Sequence, residues 1–289
     1  MLTIDHLKKY YDNFLALEIE NLRIETGSIF GLVGVNGSGK STLLRTISGV
    51  FLQEEGQILL DGEKIYNNEE IKRKILFIPD ALLANNKVSI DSIFDLYSTF
   101  YEIHKEDYLK YLKIFDLPEK GILGKFSKGM ARRVYLAIAL ASKAKVLLLD
   151  ESFDGLDPLG KKIFKEELKK KKIEEDITVV ISSHSLRELE DSCDSFCILK
   201  DCKASSFSSN IKSKLLKINL CYKEAFDFDK IQDERIKQRK CSSKIATFIC
   251  EGDEKELEEF FNSFKPDIYD VSSLSLEEQF ILINESEDK

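Results

Sequence analysis

The stretch Gly34–Thr42, GVNGSGKST, restricts the fold of this chain more than any other segment. It follows the apolar run SIFGLV and leads into KSTLLRTISGV, whose apolar spacing predicts a helix that ends at Gly49. A buried strand, a glycine-rich loop and a helix in this order direct several backbone N–H groups and the positive end of the helix at one point. The sequence therefore predicts an α/β fold built around an anion-binding loop.

The spacing within this loop indicates which anion it holds. The pattern is G-x-x-x-x-G-K-[ST], which is typical of nucleoside triphosphate sites. Lys40 is expected to reach the β- and γ-phosphates, the Ser41 hydroxyl to ligate Mg²⁺, and Thr42 to hold the α-phosphate end. The expected phosphate-binding backbone comprises Gly34, Asn36, Gly37, Ser38 and Gly39. A glycine turn that binds nothing is the alternative, and the order of strand, loop and helix argues against it.

Two carboxylates follow a second apolar strand, VLLLDE. A buried strand would deliver Asp150 rigidly to the Mg²⁺ shell, and Glu151, pointing the other way, would address the attacking water. His184 ends a third apolar strand, ITVVISSH, and is expected to sense the γ-phosphate. Two acids can also simply cap a strand, and a lone histidine is more often structural. The glycine loop upstream favours the catalytic interpretation.

Charge and apolar patterning exclude several classes of protein. The formal net charge of −8 over 289 residues argues against nonspecific binding to nucleic acid. No apolar run approaches the roughly 20 residues that cross a bilayer, and the amino terminus lacks a signal-peptide pattern. The six cysteines are scattered and are expected to be reduced thiols. We expect a cytoplasmic protein that can attach to a membrane partner.

Changes in periodicity suggest the domain organisation. Period-two patterning in the first segment predicts short strands, and helical spacing begins near residue 88. We predict a nucleotide-binding domain at residues 1–205 with a helical subdomain at about 88–142. A helix is expected in SLRELEDSCD, and a Ser-rich linker at residues 204–214. Residues 206–289 are predicted to form a small α+β appendage.

The segment Phe126–Met130, FSKGM, opens a predicted helix upstream of Asp150 and resembles the LSGGQ signature of ATP-binding cassette (ABC) transporter ATPases. The resemblance implies a P-loop NTPase core with an antiparallel β subdomain and a helical insert. It also implies that Ser127 and Gly129 contact the γ-phosphate of an ATP held by a second copy. A helix N-terminus with a hydroxyl and a glycine is itself an anion site. A head-to-tail dimer around two ATPs follows.

The same resemblance extends to other positions. Tyr11, with Tyr10 as the alternative, matches the aromatic residue that stacks on adenine. Asp154–Asp157 resembles the loop that crosses the dimer interface, so Asp157 is placed at the ATP, and His184 matches the switch histidine. Asp80 stands where the family usually has glutamine. Aspartate can still ligate Mg²⁺ directly or through water.

These features predict an ATP-binding and ATP-hydrolysing subunit that drives integral membrane permease subunits from the inner face of the cell membrane. The carboxyl-terminal stretch SSLSLEEQFILINE resembles the tail of exporter ATPases, which favours export of a drug, antibiotic, peptide or lipid. One alternative is a non-transport ABC ATPase that acts on ribosomes or DNA ends. Another is a regulatory module that binds ATP without useful hydrolysis. Nucleic acid is not an expected partner.

Overall fold

The computed structural model describes residues 1–208, 215–274 and 278. The chain forms two compact units, Met1–Ser209 and Asn210–Lys289. The prediction of a linker at residues 204–214 is wrong for its first five residues. Residues 203–208 form a strand, because their backbone pairs with the strand that precedes them. The remainder of that Ser-rich stretch lies outside the described residues.

A ten-stranded sheet forms the centre of the first unit within the described residues. Its strands are β1 (Leu2–Tyr11), β2 (Phe14–Ile24), β3 (Ile29–Val33), β4 (Glu55–Leu60), β5 (Glu63–Lys64), β6 (Ile75–Ile78), β7 (Val146–Leu149), β8 (Thr178–Ser183), β9 (Ser195–Lys200) and β10 (Lys203–Ser208). The spatial order is β5-β4-β1-β2-β10-β9-β3-β8-β7-β6.

The sheet has a parallel and an antiparallel half. Strands β9, β3, β8, β7 and β6 are parallel neighbours, and β3, β7 and β8 are buried along their whole length. Strands β1, β2, β4 and β5 are antiparallel. Strand β10 joins the halves, because it pairs with β9 on one side and with β2 on the other. The predicted α/β core with an antiparallel subdomain is confirmed.

Seven α-helices accompany this sheet in the described part of the unit. They are α1 (Lys40–Ile47), α2 (Glu69–Lys72), α3 (Ile90–Ser98), α4 (Lys105–Ile114), α5 (Lys128–Ala141), α6 (Pro158–Glu175) and α7 (Leu186–Leu189). The helix predicted for SLRELEDSCD is wrong in length, since only the four residues of α7 are helical. No helix in the described ranges is long and apolar enough to cross a membrane.

Helix α1 is held by the core that lies beneath the antiparallel strands. Leu43, Leu44 and Ile47 of α1 are buried with residues such as Leu17 and Ile19 of β2. Burying an aliphatic side chain of this size stabilises the fold by roughly 1.5–3 kcal/mol. The helix that starts at the glycine loop is therefore fixed relative to the sheet.

The predicted helical insert consists of α3, α4 and α5. Helix α5 packs against both others and is almost completely buried from residue 131 onwards. Phe94 of α3 stacks on Tyr108 of α4 with 5.1 Å between ring centroids. Tyr97 of α3 meets Tyr135 of α5 edge to face at 6.0 Å. Such aromatic pairs add about 0.5–1.5 kcal/mol each to the burial of their surface.

The second unit is a small α+β structure within residues 215–274. Its strands are β11 (Leu215–Cys221), β12 (Ile236–Cys241), β13 (Ile245–Glu251) and β14 (Ile268–Ser273), and its helix is α8 (Glu254–Asn262). The strands form an antiparallel sheet in the order β12-β13-β11-β14. Buried aromatic and aliphatic residues of α8 and the sheet, including Phe248 and Phe261, form its core.

Candidate nucleotide-binding site

The loop between β3 and α1 has a backbone that only glycine accommodates at two positions. Gly39, which directly precedes α1, has a φ of 104°, in the left-handed region that other residues rarely adopt. A Cβ atom on Gly34 would lie 2.4 Å from Oγ of Ser38 and 2.5 Å from the carbonyl oxygen of Leu199. The loop therefore folds closely around a space in front of the helix N-terminus, where an anion is stabilised.

Lys40 folds back over this loop. Its side chain is only 5% exposed, and Nζ donates to the carbonyl oxygens of Gly34 at 2.7 Å and Val35 at 3.2 Å. Nζ also lies 3.2 Å from Oε1 of Glu151, a charge contact rather than a directed hydrogen bond. The ammonium group of Lys40 can therefore bind a phosphate in place of the Glu151 carboxylate while the two carbonyl oxygens keep it in position.

The two acids after β7 lie in different surroundings, but not because they alternate along a strand as predicted. Strand β7 ends at Leu149, so both acids belong to the turn that follows it. Asp150 is fully buried, and its Oδ1 accepts a hydrogen bond from Oγ of Ser182 at 2.7 Å. Its Oδ2 is buried without a hydrogen-bond partner among the described residues. Glu151 has a φ of 45°, a left-handed conformation that costs a non-glycine residue roughly 1–2 kcal/mol. The amide of Glu151 donates to the same Ser182 Oγ at 2.9 Å. This turn leaves Asp150 in the interior and brings Glu151 to a cavity.

His184 completes the contacts of Glu151. Its Nδ1 lies 3.0 Å from Oε2 of Glu151, and its backbone amide donates to the same oxygen at 3.3 Å. The imidazole is 55% exposed, whereas the Glu151 side chain is 14% exposed. Glu151 thus lies between two cationic or hydrogen-bonding groups, with one carboxylate oxygen directed to each.

A cavity of about 420 Å³ opens in front of the loop. Among the described residues, most of the predicted loop residues line it, together with the carboxylates of Asp80 and Glu151, but not that of Asp150, and with two aromatic residues. The lining residues are Tyr11, Phe14, Ala16, Asn36, Gly37, Gly39, Lys40, Ser41, Thr42, Asp80 and Glu151. Tyr10 is not among them in the described part of the chain, which favours Tyr11 at this position. Tyr11 Oη lies 3.2 Å from Oγ1 of Thr42.

Sequence analysis missed Phe14 as a member of this cavity. Its ring is 66% exposed at the start of β2, directly after the turn that follows Tyr11. An aromatic residue directly after the turn-forming pair Asp12 and Asn13 was the available signal. Phe14 pairs with Tyr11 across β1 and β2, and the two aromatic side chains give the cavity an apolar surface suited to a flat ring.

The predicted signature residues form a second cluster at the start of α5. Oγ of Ser127 accepts a hydrogen bond from the backbone amide of Met130 at 3.1 Å and caps the helix. A Cβ atom on Gly129 would lie 2.3 Å from the carbonyl oxygen of Gly155, so the helix start and the loop at residues 154–157 touch. Lys128 reinforces this contact through a 2.6 Å ion pair with Asp154.

Asp157 caps the next helix. Its Oδ1 accepts a hydrogen bond from the backbone amide of Gly160 at 2.8 Å and forms an ion pair with Nη2 of Arg133 at 2.7 Å. The Gly160 amide holds the pKa of Asp157 below its usual range, and Arg133 acts in the same direction. Within the described ranges, the residues that line the cavity of about 420 Å³ do not include Ser127, Gly129 or Asp157. One copy of the chain therefore does not bring its two predicted anion sites together.

Asp80 follows β6 and lines the cavity of about 420 Å³. Its side chain is 49% exposed and pairs at 2.7 Å with Arg132, which is fully buried in α5. Sequence analysis missed Arg132. A charged residue next to the buried apolar run VYLAIALA was the signal that could have identified it.

Comparison with known proteins identifies the family of this chain. The profile described as ABC transporter matches residues 17–154. The ABC transporter ATP-binding protein YtrB of Bacillus subtilis is 28% identical over 287 residues, which cover 97% of each chain. The lantibiotic transport ATP-binding protein SrtF of Streptococcus pyogenes is 32% identical over 192 residues, covering 66% of this chain and 82% of that protein.

Solved structures agree with these sequence matches. An ATP-binding subunit of an ABC transporter superimposes with a TM-score of 0.66 at 26% identity, covering 72% of this chain and 90% of that one. A dimeric ATP-binding cassette bound to ADP and phosphate has the same fold, with a TM-score of 0.63 at 24% identity over 72% and 99% of the chains. The chain therefore belongs to the ABC transporter family, as a subunit that binds and hydrolyses ATP.

Proposed function

We propose that this chain is the ATPase subunit of an exporter and that it drives a separate membrane permease from the inner face of the cell membrane. The contact of Glu151 with both Lys40 and His184 at the phosphate loop carries the ATPase part of this proposal. The name of the SrtF relative refers to lantibiotic transport, which supports an antibiotic peptide or a similar amphipathic molecule as cargo. In this proposal the first compact unit, Met1–Ser209, is the ATPase domain, because strand β10 extends it beyond the predicted boundary at residue 205, and the second unit, Asn210–Lys289, is an accessory domain.

The cavity fits a nucleotide with one end for phosphates and one for a base. We infer that Lys40, Ser41, Thr42 and the loop amides hold the phosphates and that Tyr11 stacks on adenine. Asn36, Gly37 and Gly39 lie in the loop that leads into the N-terminus of α1, where the partial positive charge of their amides can add to that of Lys40. The Ser38 amide donates to the carbonyl oxygen of Val35 at 3.1 Å. Phe14 lies beside Tyr11 and can cover the other edge of the base.

We infer that Mg²⁺ accompanies the nucleotide and that Ser41, Asp80 and Asp150 hold it. The donor set fits, because hydroxyl and carboxylate oxygens are the ligands that this cation prefers. Asp150 also keeps a buried carboxylate oxygen without a hydrogen-bond partner in the described part of the chain, as a metal ligand would before its ion binds. When bound, the ion neutralises charge on the phosphates.

Glu151 is the proposed base or orienting group for the attacking water. When the phosphates of ATP pair with Lys40, the ion pair between Lys40 and Oε1 of Glu151 is broken. Oε1 can then accept a hydrogen bond from water. His184 still holds Oε2 and thereby fixes the direction of the carboxylate. In this arrangement, nucleotide binding itself releases the catalytic oxygen.

The second anion site requires a second copy of the chain. Because Ser127, Gly129 and Asp157 lie away from the cavity of the same protomer, we propose that they contact the ATP of the opposite protomer in a head-to-tail dimer. Ser127 offers a hydroxyl at the N-terminus of α5, where a phosphate is stabilised by the helix dipole. Each ATP would then join two protomers.

An apolar cleft of about 500 Å³ is the proposed docking surface for the permease. It lies between the end of α1 and helix α3, and its aromatic and aliphatic lining includes Tyr97, Phe100, Tyr101 and Tyr135. Leu83, Leu96 and Phe100 expose 57%, 45% and 55% of their surface. An apolar helix segment of a membrane protein suits such a surface.

Transport by inverted membrane vesicles tests this proposal. Vesicles that contain the chain and the permease should accumulate a cationic antibiotic peptide only when ATP is added, because export from the cell corresponds to uptake into an inverted vesicle. A matched control is the chain with Leu83→Glu and Leu96→Glu, which should hydrolyse ATP in isolation but support no uptake. ATP-dependent loss of a preloaded solute, or uptake unaffected by these substitutions, would contradict the proposal.

A further inference from the structure

Arg132 makes three hydrogen bonds to two consecutive residues of the loop that follows β6. Its Nη1 donates to the carbonyl oxygen of Pro79 at 3.0 Å, and its Nη2 donates to the carbonyl oxygen and to Oδ1 of Asp80 at 2.9 and 2.7 Å. Arg132 is fully buried. A planar guanidinium group with several donors can hold a backbone segment in this way, whereas a lysine cannot.

The same helix holds the other end of this loop. Oη of Tyr135 donates to the carbonyl oxygen of Leu83 at 2.9 Å. Arg132 and Tyr135 are three residues apart on α5 and therefore lie on the same face. Together they fix residues 79–83 to the helix that begins at Ser127.

These five residues contribute to the lining of both the cavity of about 420 Å³ and the apolar cleft of about 500 Å³. Asp80 lines the cavity that contains Lys40, whereas Pro79, Ala81, Leu82 and Leu83 line the apolar cleft. A shift of residues 79–83 would therefore change the shape of both cavities. The hydrogen bonds from Arg132 and Tyr135 of α5 hold these residues in position.

Charge gives Arg132 a second role. A buried guanidinium group is costly unless it is paired, and Asp80 is the carboxylate that pairs with it within the described residues. Asp80 in turn places a negative charge at a cavity that takes an anion. The two charges compensate each other. Removal of Arg132 leaves an unpaired negative charge beside the phosphates, and removal of Asp80 leaves an unpaired positive charge there.

We propose that Arg132 is a positioning residue for ATP binding, which neutralises Asp80 at the phosphate cavity and, with Tyr135, holds residues 79–83 in one conformation. This inference rests on the proposed assignment of that cavity to the phosphates. The charge role and the geometric role make separate predictions, so each is tested by its own measurement.

Binding of ATP in the presence of EDTA tests the charge role, because no cation then masks Asp80. In full-length protein at low salt, Arg132→Gln should weaken binding about fivefold, and the difference should shrink at high salt. Asp80→Gln should bind at least as tightly as wild type, and the double variant should return to within about twofold of it. Arg23→Gln is the control, since it removes an exposed arginine of β2.

NMR order parameters of the backbone amides of residues 81–83 test the geometric role. Arg132→Gln and Tyr135→Phe should each lower these order parameters from about 0.85 to below about 0.6 while leaving those of α1 unchanged, since each variant removes one end of the restraint. Arg132→Lys keeps the charge but cannot make all three hydrogen bonds. Its loop should therefore show lowered order parameters, and the variant should still bind ATP with near wild-type affinity.

The two proposals fail in different ways. If Arg132→Gln and the double variant lose ATP affinity equally, or if Arg132→Gln binds as wild type does, the charge role is overturned. Unchanged order parameters at residues 81–83 overturn the restraint. If the wild-type protein binds no ATP while the order parameters change as expected, the assignment of the cavity fails and the restraint stands.

Discussion

Nδ1 of His184 lies 3.0 Å from Oε2 of Glu151, so the two residues that sequence analysis placed in separate catalytic roles are in direct contact. The contact joins the end of β8 to the turn after β7. The other oxygen of Glu151 faces Lys40. The carboxylate is therefore oriented before any nucleotide binds, which is what a group that positions water requires.

Glu151→Gln should separate ATP binding from hydrolysis. The amide keeps the shape of the side chain but is a poor acceptor for a proton, so turnover should fall at least about 100-fold with ATP affinity changed less than about threefold. With ATP, the variant should elute as a dimer in size-exclusion chromatography. Glu174→Gln on the exposed side of α6 should behave as wild type. A Glu151→Gln protein that stays monomeric and turns over normally would refute the assigned role.

Lys40→Ala should weaken ATP binding at least about 30-fold, because it removes a charge-assisted contact to the phosphates and the group that closes the loop. It should also destabilise the empty protein by about 1–3 kcal/mol, since Glu151 is left nearly buried without its cation. Calorimetric titration and thermal melting measure the two effects. Lys162→Ala, an exposed change on α6, is the matched control. Unchanged ATP affinity in Lys40→Ala would contradict the site.

Gly129→Ala should affect ATP turnover more than ATP binding by a single protomer. The new Cβ atom would lie 2.3 Å from the carbonyl oxygen of Gly155, so the start of α5 and the loop at residues 154–157 must move apart. We expect a loss of turnover of about tenfold or more. Gly62→Ala, in a turn with a φ of 85° and open space around its Cβ position, strains the backbone without a clash and controls for a general loss of stability. Equal activity of both variants would show that the contact is unimportant.

Glu188 should make stability depend on pH. Burial raises the pKa of its carboxyl, but hydrogen bonds from Lys161 and Ser183 outweigh burial, and the pKa lies below its ordinary value of 4.5. A lowered folded-state pKa stabilises the protein above pH 4.5, and this contribution is lost as the pH falls through the folded-state value.

Glu188→Gln should therefore lower the melting temperature at pH 7 by about 2–4 °C, corresponding to about 1 kcal/mol. The difference from wild type should shrink as the pH falls below about 4. Scanning calorimetry at pH 7, 5 and 3.5 measures it, with Glu174→Gln as control. A difference that grows at low pH would contradict the direction of the pKa shift.

Sequence alone determined the parts of the site that are continuous along the chain. The phosphate loop could be predicted because strand, glycines and helix lie within Ile29–Ile47, and local backbone geometry orients its amides. The apolar strand before Asp150 and Glu151 indicated where these two acids lie, but the turn that separates them was not predictable from strand alternation. The family resemblance added Ser127, for which we propose a contact with the ATP of a second copy of the chain.

Only the tertiary structure decided how distant segments meet. The contact of Arg132 with Asp80 joins residues 52 positions apart, and nothing in the local pattern of α5 shows which loop its buried charge would face. Phe14 became part of the cavity through the packing of β2 beside α1. Residues 203–208 became a strand because β9 and β2 offered unpaired backbone edges. Such outcomes depend on packing between elements, which a one-dimensional pattern does not record.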